Sequence, residues 1–470
     1  MPAARILPVA QQAPVEGACC ASCAAEPASV ESRPARPTIF RSADRRITFG
    51  GIAVAATLLA VALGSVLLPE ASRRGLWLPL HLGLAGAAGT AVAAVLPFFT
   101  AALAVAAPVR PWIRIGGIAL VAGGALLVSG GVVAGAVAVS VGGGLLYVVG
   151  LGAVAVAAFM PLRGSLGPRR RLVEVAYAAA IIQVTVGVAT ATAMLAGFGP
   201  VIERWALLMP AHGWLNVFGF LSVVVAATLL HLAPTVAGTR IRQRATAIVA
   251  VTGLILGPPF VALGLGLASD AIARLGAVLE LIGAAALVGH AVSVWRGRGR
   301  WTTDAGWHRL TGWSLTAAPA WFLVAVGIAA GRVIEHGASP TSWSLGFVAA
   351  PLALGWLAQV LIGSWSHIVP AIGPGDMTAH ARQRVLLGRV ASARFVALNL
   401  GVGMLTIATI AAGPDWTAVV GIALVVGSIV ASLVLFGVAA AVGTVAVVPA
   451  RSGGSGPIVH PADARTVEGT

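Results

Sequence analysis

Residues 112–161 read WIRIGGIALVAGGALLVSGGVVAGAVAVSVGGGLLYVVGLGAVAVAAFMP, fifty consecutive positions with a single charge, Arg114. As one α-helix the stretch would be roughly 75 Å long at 1.5 Å per residue. The hydrocarbon core of a bilayer is only about 30 Å thick. Two helices, near 112–134 and 137–161, must therefore fold back on each other.

The same reading extends in both directions. Apolar segments long enough to cross a bilayer, about 20 residues each, lie near 47–68, 77–107, 171–198, 206–235, 245–266, 270–296, 308–332, 343–370, 384–412 and 416–448. With the central pair they make twelve expected spans, numbered 1 to 12 in chain order. Residues 1–46 and 449–470, rich in Ala, Pro, Arg, Ser and Gly without periodicity, are expected to be disordered cytoplasmic tails. The polar stretch before Ile47 is too long for the n-region of a signal peptide, so the first span is expected to remain in the protein.

Composition supports lipid as the solvent. The chain is 58% hydrophobic and 10% charged, with mean hydropathy +0.95, whereas a soluble domain carries roughly 25% charged residues. Its 59 glycines suit helices that must approach closely without a hydrophobic drive between them. The net charge of +15 does not gather into a stripe or groove, so nucleic acid is not an expected partner. All thirty cations are arginine, which excludes lysine-based Schiff-base or nucleophilic chemistry. With the N-terminus inside, twenty-five of them fall on the cytoplasmic side and five (Arg73, Arg74, Arg204, Arg274 and Arg332) outside. That asymmetry is the positive-inside rule.

A weak internal repeat is also visible. Span 6 carries Gly219-Phe220, His231 and Pro234, and span 10 carries Gly355-Trp356, His367 and Pro370, an offset of 136 residues. Span 2 ends in Leu96-Pro97, a further 137 residues back. Twelve helices as three quasi-equivalent sets of four is the architecture this spacing suggests.

Polar groups within the spans carry any chemistry, because lipid penalises them unless they are partnered. His81 and His212 open spans 2 and 6 at similar depth near the outer face, where imidazoles either ligate one haem or copper layer or cap helix ends at the headgroups. Asn216, one turn below His212, shares its face. His231 and His367 lie toward the inner side as a possible second site; nineteen residues separate His212 from His231, about 28 Å along a helix, so those two cannot share a metal. Glu280, deep in span 8, is either a proton carrier or a neutral acid bonded to a neighbouring helix. Gln183, Asn216, Gln359 and Asn399 are expected to bond between helices. In the N-terminal tail, Cys19, Cys20 and Cys23 form a Cys-Cys-x-x-Cys string in which Cys20 and Cys23 have the spacing of a soft-metal pair. That string is similar to the copper loop of heavy-metal-associated domains, although no such domain surrounds it.

Three stretches carry a wider resemblance: Leu80-His81-Leu82-Gly83, Ala211-His212-Gly213-Trp214-Leu215-Asn216-Val217-Phe218-Gly219-Phe220, and Gln359-Val360-Leu361-Ile362-Gly363-Ser364. The chain resembles bacterial membrane proteins related to haem-copper oxidase subunit I and to the NnrS haem-copper proteins. The resemblance implies an all-α bundle of twelve helices in three four-helix arcs, residence in the bacterial cytoplasmic membrane, and a redox or copper-protein partner. It implies His81 as a low-spin haem ligand and His212 as a copper ligand. The chain departs from that pattern in span 7, which has no histidine, in span 10, which has no His-x-His, and at Trp214, where related sequences place a second histidine. What the resemblance then implies is one haem or copper rather than an oxygen-reducing pair of metals. A proton-coupled permease of twelve helices, with Glu280 as the coupling group, and a non-catalytic partner subunit are the competing expectations.

Overall fold

The computed structural model describes residues 38–164, 171–240, 244–298, 304–341, 343–373, 375–411 and 413–444, and among these the chain is helical throughout, without a strand. Twelve helices are long and apolar enough to cross a membrane. Spans 1 to 4 are Ala43–Ser65, Glu70–Ala104, Pro111–Ala134 and Val137–Gly164. Spans 5 to 8 are Arg171–Leu195, Trp205–Ala237, Ala245–Gly266 and Asp270–Arg298. Spans 9 to 12 are Gly306–His336, Leu345–Ala371, Ala391–Ile410 and Asp415–Gly443. Apolar side chains such as Leu63, Val149, Ile182 and Leu433 remain exposed on the perimeter, as lipid permits and water does not.

The central fifty-residue stretch breaks where its length requires. Span 3 ends at Ala134, Gly135 adopts a left-handed φ of 70°, and span 4 starts at Val137. A side chain at Gly135 would strain that turn. The returning helices then pack backbone to backbone, since a Cβ on Gly124 would stand 2.7 Å from the Gly143 carbonyl oxygen.

The neighbours of each span repeat with a period of four. Span 1 packs on span 2, span 2 on spans 3 and 4, and spans 3 and 4 form a close hairpin. The same set of neighbours recurs in spans 5–8 and 9–12. Each hairpin has its own glycine approach: Gly253 on Gly283 in the second set and Gly401 on Gly421 in the third. Spans 2, 6 and 10 share a further feature. Each contains a π-helical segment, Leu82–Ala88, Leu215–Ser222 and Ala350–Ala358 respectively. A glycine in each segment faces the preceding span: Gly86 toward Leu58, Gly219 toward Gln183, and Gly355 toward Trp321. The repeated prolines Pro97, Pro234 and Pro370 all lie within helix near the arginine-rich ends of these spans.

Two boundaries and two charges differ from the sequence reading. The first helix begins at Thr38, so residues 38–46 are helix rather than tail. Residues 384–387, expected to open span 11, belong instead to a separate helix, Met377–Leu387, whose Asp376 side chain caps the first turn by accepting from Ala379 N. Arg114 and Arg394, counted from the sequence only as charges on the cytoplasmic side, are just 2% and 3% exposed. Arg114 is ion-paired to Asp44 and also donates to Thr48 Oγ1 and the Ala94 carbonyl, at 3.0 and 2.7 Å. Arg394 donates to Ser432 Oγ and to the Leu387 carbonyl. Both stand four residues into the third helix of their set, a further sign of the repeat.

Candidate functional site

Spans 2 and 6 bring His81 and His212 together at their arginine-poor ends. The two ring centroids lie 6.4 Å apart with their planes at 11°, nearly parallel. The expectation of similar depth therefore becomes a direct juxtaposition. Each ring is oriented through the same nitrogen. His81 Nδ1 is 2.9 Å from the Trp77 carbonyl, one turn earlier in its own helix. His212 Nδ1 is 2.9 Å from the Gly187 carbonyl of span 5. A carbonyl oxygen only accepts, so in His81 Nδ1 carries the proton and Nε2 keeps its lone pair. His212 Nδ1 faces both the Gly187 carbonyl, an acceptor, and the Asn216 amide Nδ2, a donor at 2.8 Å, so these contacts orient the His212 ring without selecting its tautomer. Among the described residues, neither Nε2 has a hydrogen-bond partner.

The surroundings fix these orientations further. The Trp77 indole stacks on His81 with centroids 4.0 Å apart. Asn216 lies on the His212 face and donates from Nδ2 to the His212 carbonyl at 2.8 Å. Gly187 admits this arrangement because a Cβ there would stand 2.8 Å from Asn216 Nδ2. Each imidazole is thus held by a carbonyl at one nitrogen and unengaged at the other among the described residues, and histidines that ligate metals are generally held through their other nitrogen in this way.

The remaining interior is filled differently. Trp214, Phe218, Trp343, Phe322 and Trp356 form a continuous run of rings between spans 6, 9 and 10, with successive centroids 4.8 to 6.5 Å apart. The rings of Trp214, Phe218, Phe322 and Trp356 are fully buried. Trp214 Nε1 donates to Glu280 Oε2 at 2.6 Å, joining span 6 to span 8. Among the described residues no group of three or more His, Cys, Asp or Glu side chains gathers, so a centre here rests on two imidazoles.

Compared with known proteins, the chain matches no family model and no curated protein sequence. The chemistry of the site therefore has to be argued from its own geometry.

The expected inner pair does not assemble as written. His367 lies beside His308 and Trp307, with centroids 6.1 and 6.0 Å away, whereas His231 meets Phe99 of span 2 edge-on at 6.0 Å. His308 has both nitrogens engaged, Nδ1 with Asp304 Oδ2 at 2.7 Å and Nε2 with the Val236 carbonyl at 2.9 Å, and offers no free ligand atom. Cys19, Cys20 and Cys23 lie outside the described residues. The polar amides bond between helices as expected: Gln183 donates to the Ile255 carbonyl, and Asn399 Oδ1 accepts from Trp321 and Gln359. Two contributors were not named from sequence. Trp77 stands four residues before His81, a helical spacing that signals contact. Gly187 acts through its backbone carbonyl and has no side-chain signal.

Proposed function

We propose that this chain is a membrane redox protein of the haem-copper oxidase subunit I type that holds one haem iron or copper between His81 and His212. The observation that carries this reading is the imidazole pair. His81 and His212 are the residues that would hold such a metal, each through the ring nitrogen not bonded to a carbonyl. The rings stand 6.4 Å apart and nearly parallel, with both Nε2 atoms unengaged. A haem iron or copper bound there supplies one-electron transfer. The role of the chain is to hold both rings in place, exclude water with the apolar spans, and keep the pair rigid through Trp77 and Asn216. Both ligands come from protein, and the space between spans 6, 9 and 10 is occupied by aromatic rings. The reading is therefore electron transfer or metal handling through one centre, in exchange with a redox or copper-protein partner, rather than oxygen reduction at two.

The test is full-length protein produced with ample haem and copper, purified in detergent, and examined by visible absorption and metal analysis. About one haem or one copper per chain is expected, lost in His81→Ala and His212→Ala and kept in His231→Ala and His367→Ala. Wild-type protein with neither would sink the reading and leave a structural partner subunit in its place. The permease alternative gains no support from the packing, which repeats every four spans rather than every six.

The proposed setting is the bacterial cytoplasmic membrane, with the arginine-rich side inward. Reporter fusions at Arg170, Arg242 and Arg298 are expected to report cytoplasm, and those at Arg73, Arg204 and Arg332 the exterior. A reversed pattern would overturn the orientation.

A further inference from the structure

On the arginine-rich side, the end of span 6, the start of span 7 and the end of span 8 border an open cavity of about 340 Å3 lined by Ala237, Gly238, Thr239, Arg240, Arg244, Gly297 and Arg298. Three arginines line it, and among the described residues one carboxylate, Asp304, pairs with one of them. Arg298 is committed: Nε and Nη2 bond Asp304 Oδ2 at 3.1 and 2.7 Å, and Nη1 bonds the Ala237 carbonyl at 2.8 Å. Asp304 is in turn shared with His308. Arg240 and Arg244 have no hydrogen bond or ion pair among the described residues. The walls are bare backbone where the cations approach. A Cβ on Gly238 would stand 3.4 Å from Arg298 Nη1, and one on Gly297 would stand 3.9 Å from Arg244 Nη2. Thr246 Oγ1 and both ring nitrogens of His290, the latter within electrostatic reach of Arg244, are buried without a hydrogen-bond partner among the described residues.

We infer that this cavity is a binding site for a phosphate group, supplied by the headgroup of an anionic phospholipid or by phosphate from solution. The guanidinium fork matches phosphate oxygens bidentately. Among the described residues two forks are unengaged, and the third is anchored so that it shapes the wall. The position at the arginine-rich ends of the spans is the level of the headgroups, where basic pockets between helices take up anionic lipid. This site is independent of the histidine pair, which lies near the opposite ends of spans 2 and 6.

The test uses full-length protein stripped of lipid in a zwitterionic detergent. Binding is titrated by native mass spectrometry with phosphatidylglycerol, with phosphatidylcholine, and with sodium phosphate against sodium chloride of equal ionic strength. Phosphatidylglycerol is expected to bind with saturation and phosphatidylcholine, whose choline neutralises its phosphate, much more weakly. The Arg240→Gln/Arg244→Gln variant is expected to lose about thirtyfold in apparent affinity, while Arg240→Lys/Arg244→Lys retains most of it and Arg73→Gln/Arg74→Gln, on the opposite side, retains all of it. Saturable binding of inorganic phosphate with the same response to the variants would assign the source to solution. Equal binding of the two lipids, with no saturable phosphate binding, or undiminished affinity in the glutamine variant would overturn the site. If the glutamine variant does not fold, the lysine variant and displacement of phosphatidylglycerol from wild type by phosphate decide the matter, and lipid that neither phosphate nor salt displaces would again overturn it.

Discussion

Trp214 of span 6 donates its indole hydrogen to Oε2 of Glu280 of span 8 at 2.6 Å, and both side chains are shut off from solvent. Glu280 Oε1 has no partner, so the carboxyl reaches a single donor. Glu280→Gln preserves an acceptor for Trp214 and is expected to unfold within about 1 kcal/mol of wild type, whereas Glu280→Leu strands the indole N–H and costs about 1–3 kcal/mol. Denaturant titration in detergent distinguishes them. Equal losses for both variants would mean that the Trp214 bond contributes little.

The Arg114–Asp44 pair joins spans 1, 2 and 3 in the same buried manner, with both side chains less than a tenth exposed. Removing one partner leaves a charge stranded, so Arg114→Ala is expected to cost about 3–5 kcal/mol. Replacing both, as Arg114→Met with Asp44→Leu, removes the stranded charge and is expected to recover much of that loss. A double variant no more stable than the single would show that the hydrogen bonds to Thr48 and Ala94, rather than the pairing, hold the corner.

These two contacts mark what the chain reveals before it is folded. The twelve crossings were legible because lipid imposes a length, and because Gly135 and its neighbours supply the break in an otherwise unbroken apolar run. The repeat showed in Gly219, Gly355 and the prolines, since close helix packing leaves a residue-type trace. For Arg114 the sequence shows a side of the membrane and no partner. Its partner Asp44 lies 70 positions away in a segment that looks like tail, and composition does not report pairing. The spacing of His81 and His212 placed them at one depth, but only the packing of spans 2 and 6 sets their separation and parallel planes. The arginine pocket was invisible for the same reason: basic residues in two loops read as orientation signals until the fold sets them around one space.

At the arginine-rich ends of spans 8 and 9, burial alone would raise the Asp304 carboxyl, but hydrogen bonds and charge from Arg298 and His308 outweigh it and hold the group below its ordinary value. A carboxyl depressed in the folded state contributes stability that is present above its unfolded value, about 3.9, and is lost as pH falls through the folded value. Asp304→Asn is therefore expected to cost about 1 kcal/mol at pH 7 for this partly accessible pair, and the difference from wild type should shrink as the pH is taken below about 4. Thermal unfolding in detergent across that range checks it. A gap between the two proteins that stays constant with pH would show that Asp304 acts by shape and not by charge.

The two histidines differ in what orients them, and the difference is testable. His81 takes its acceptor and its stacking partner from a single residue of its own helix, Trp77, so its orientation is local. His212 depends on span 5, through the Gly187 carbonyl, with Asn216 filling the space a side chain at 187 would need. Gly187→Ala must displace the Asn216 amide, and with it the contact that steadies His212. In protein loaded with haem or copper, this variant is expected to shift the reduction potential or the visible spectrum with little loss of unfolding temperature. Gly83→Ala, in the π-helical segment beside His81, has its nearest neighbour at 3.9 Å and should be silent. Gly187→Ala combined with Asn216→Ala makes room for the new methyl group and should return the signal toward wild type. A Gly187→Ala variant that lowers stability but leaves the spectrum and potential untouched would show that the carbonyl supports the bundle and not a ligand.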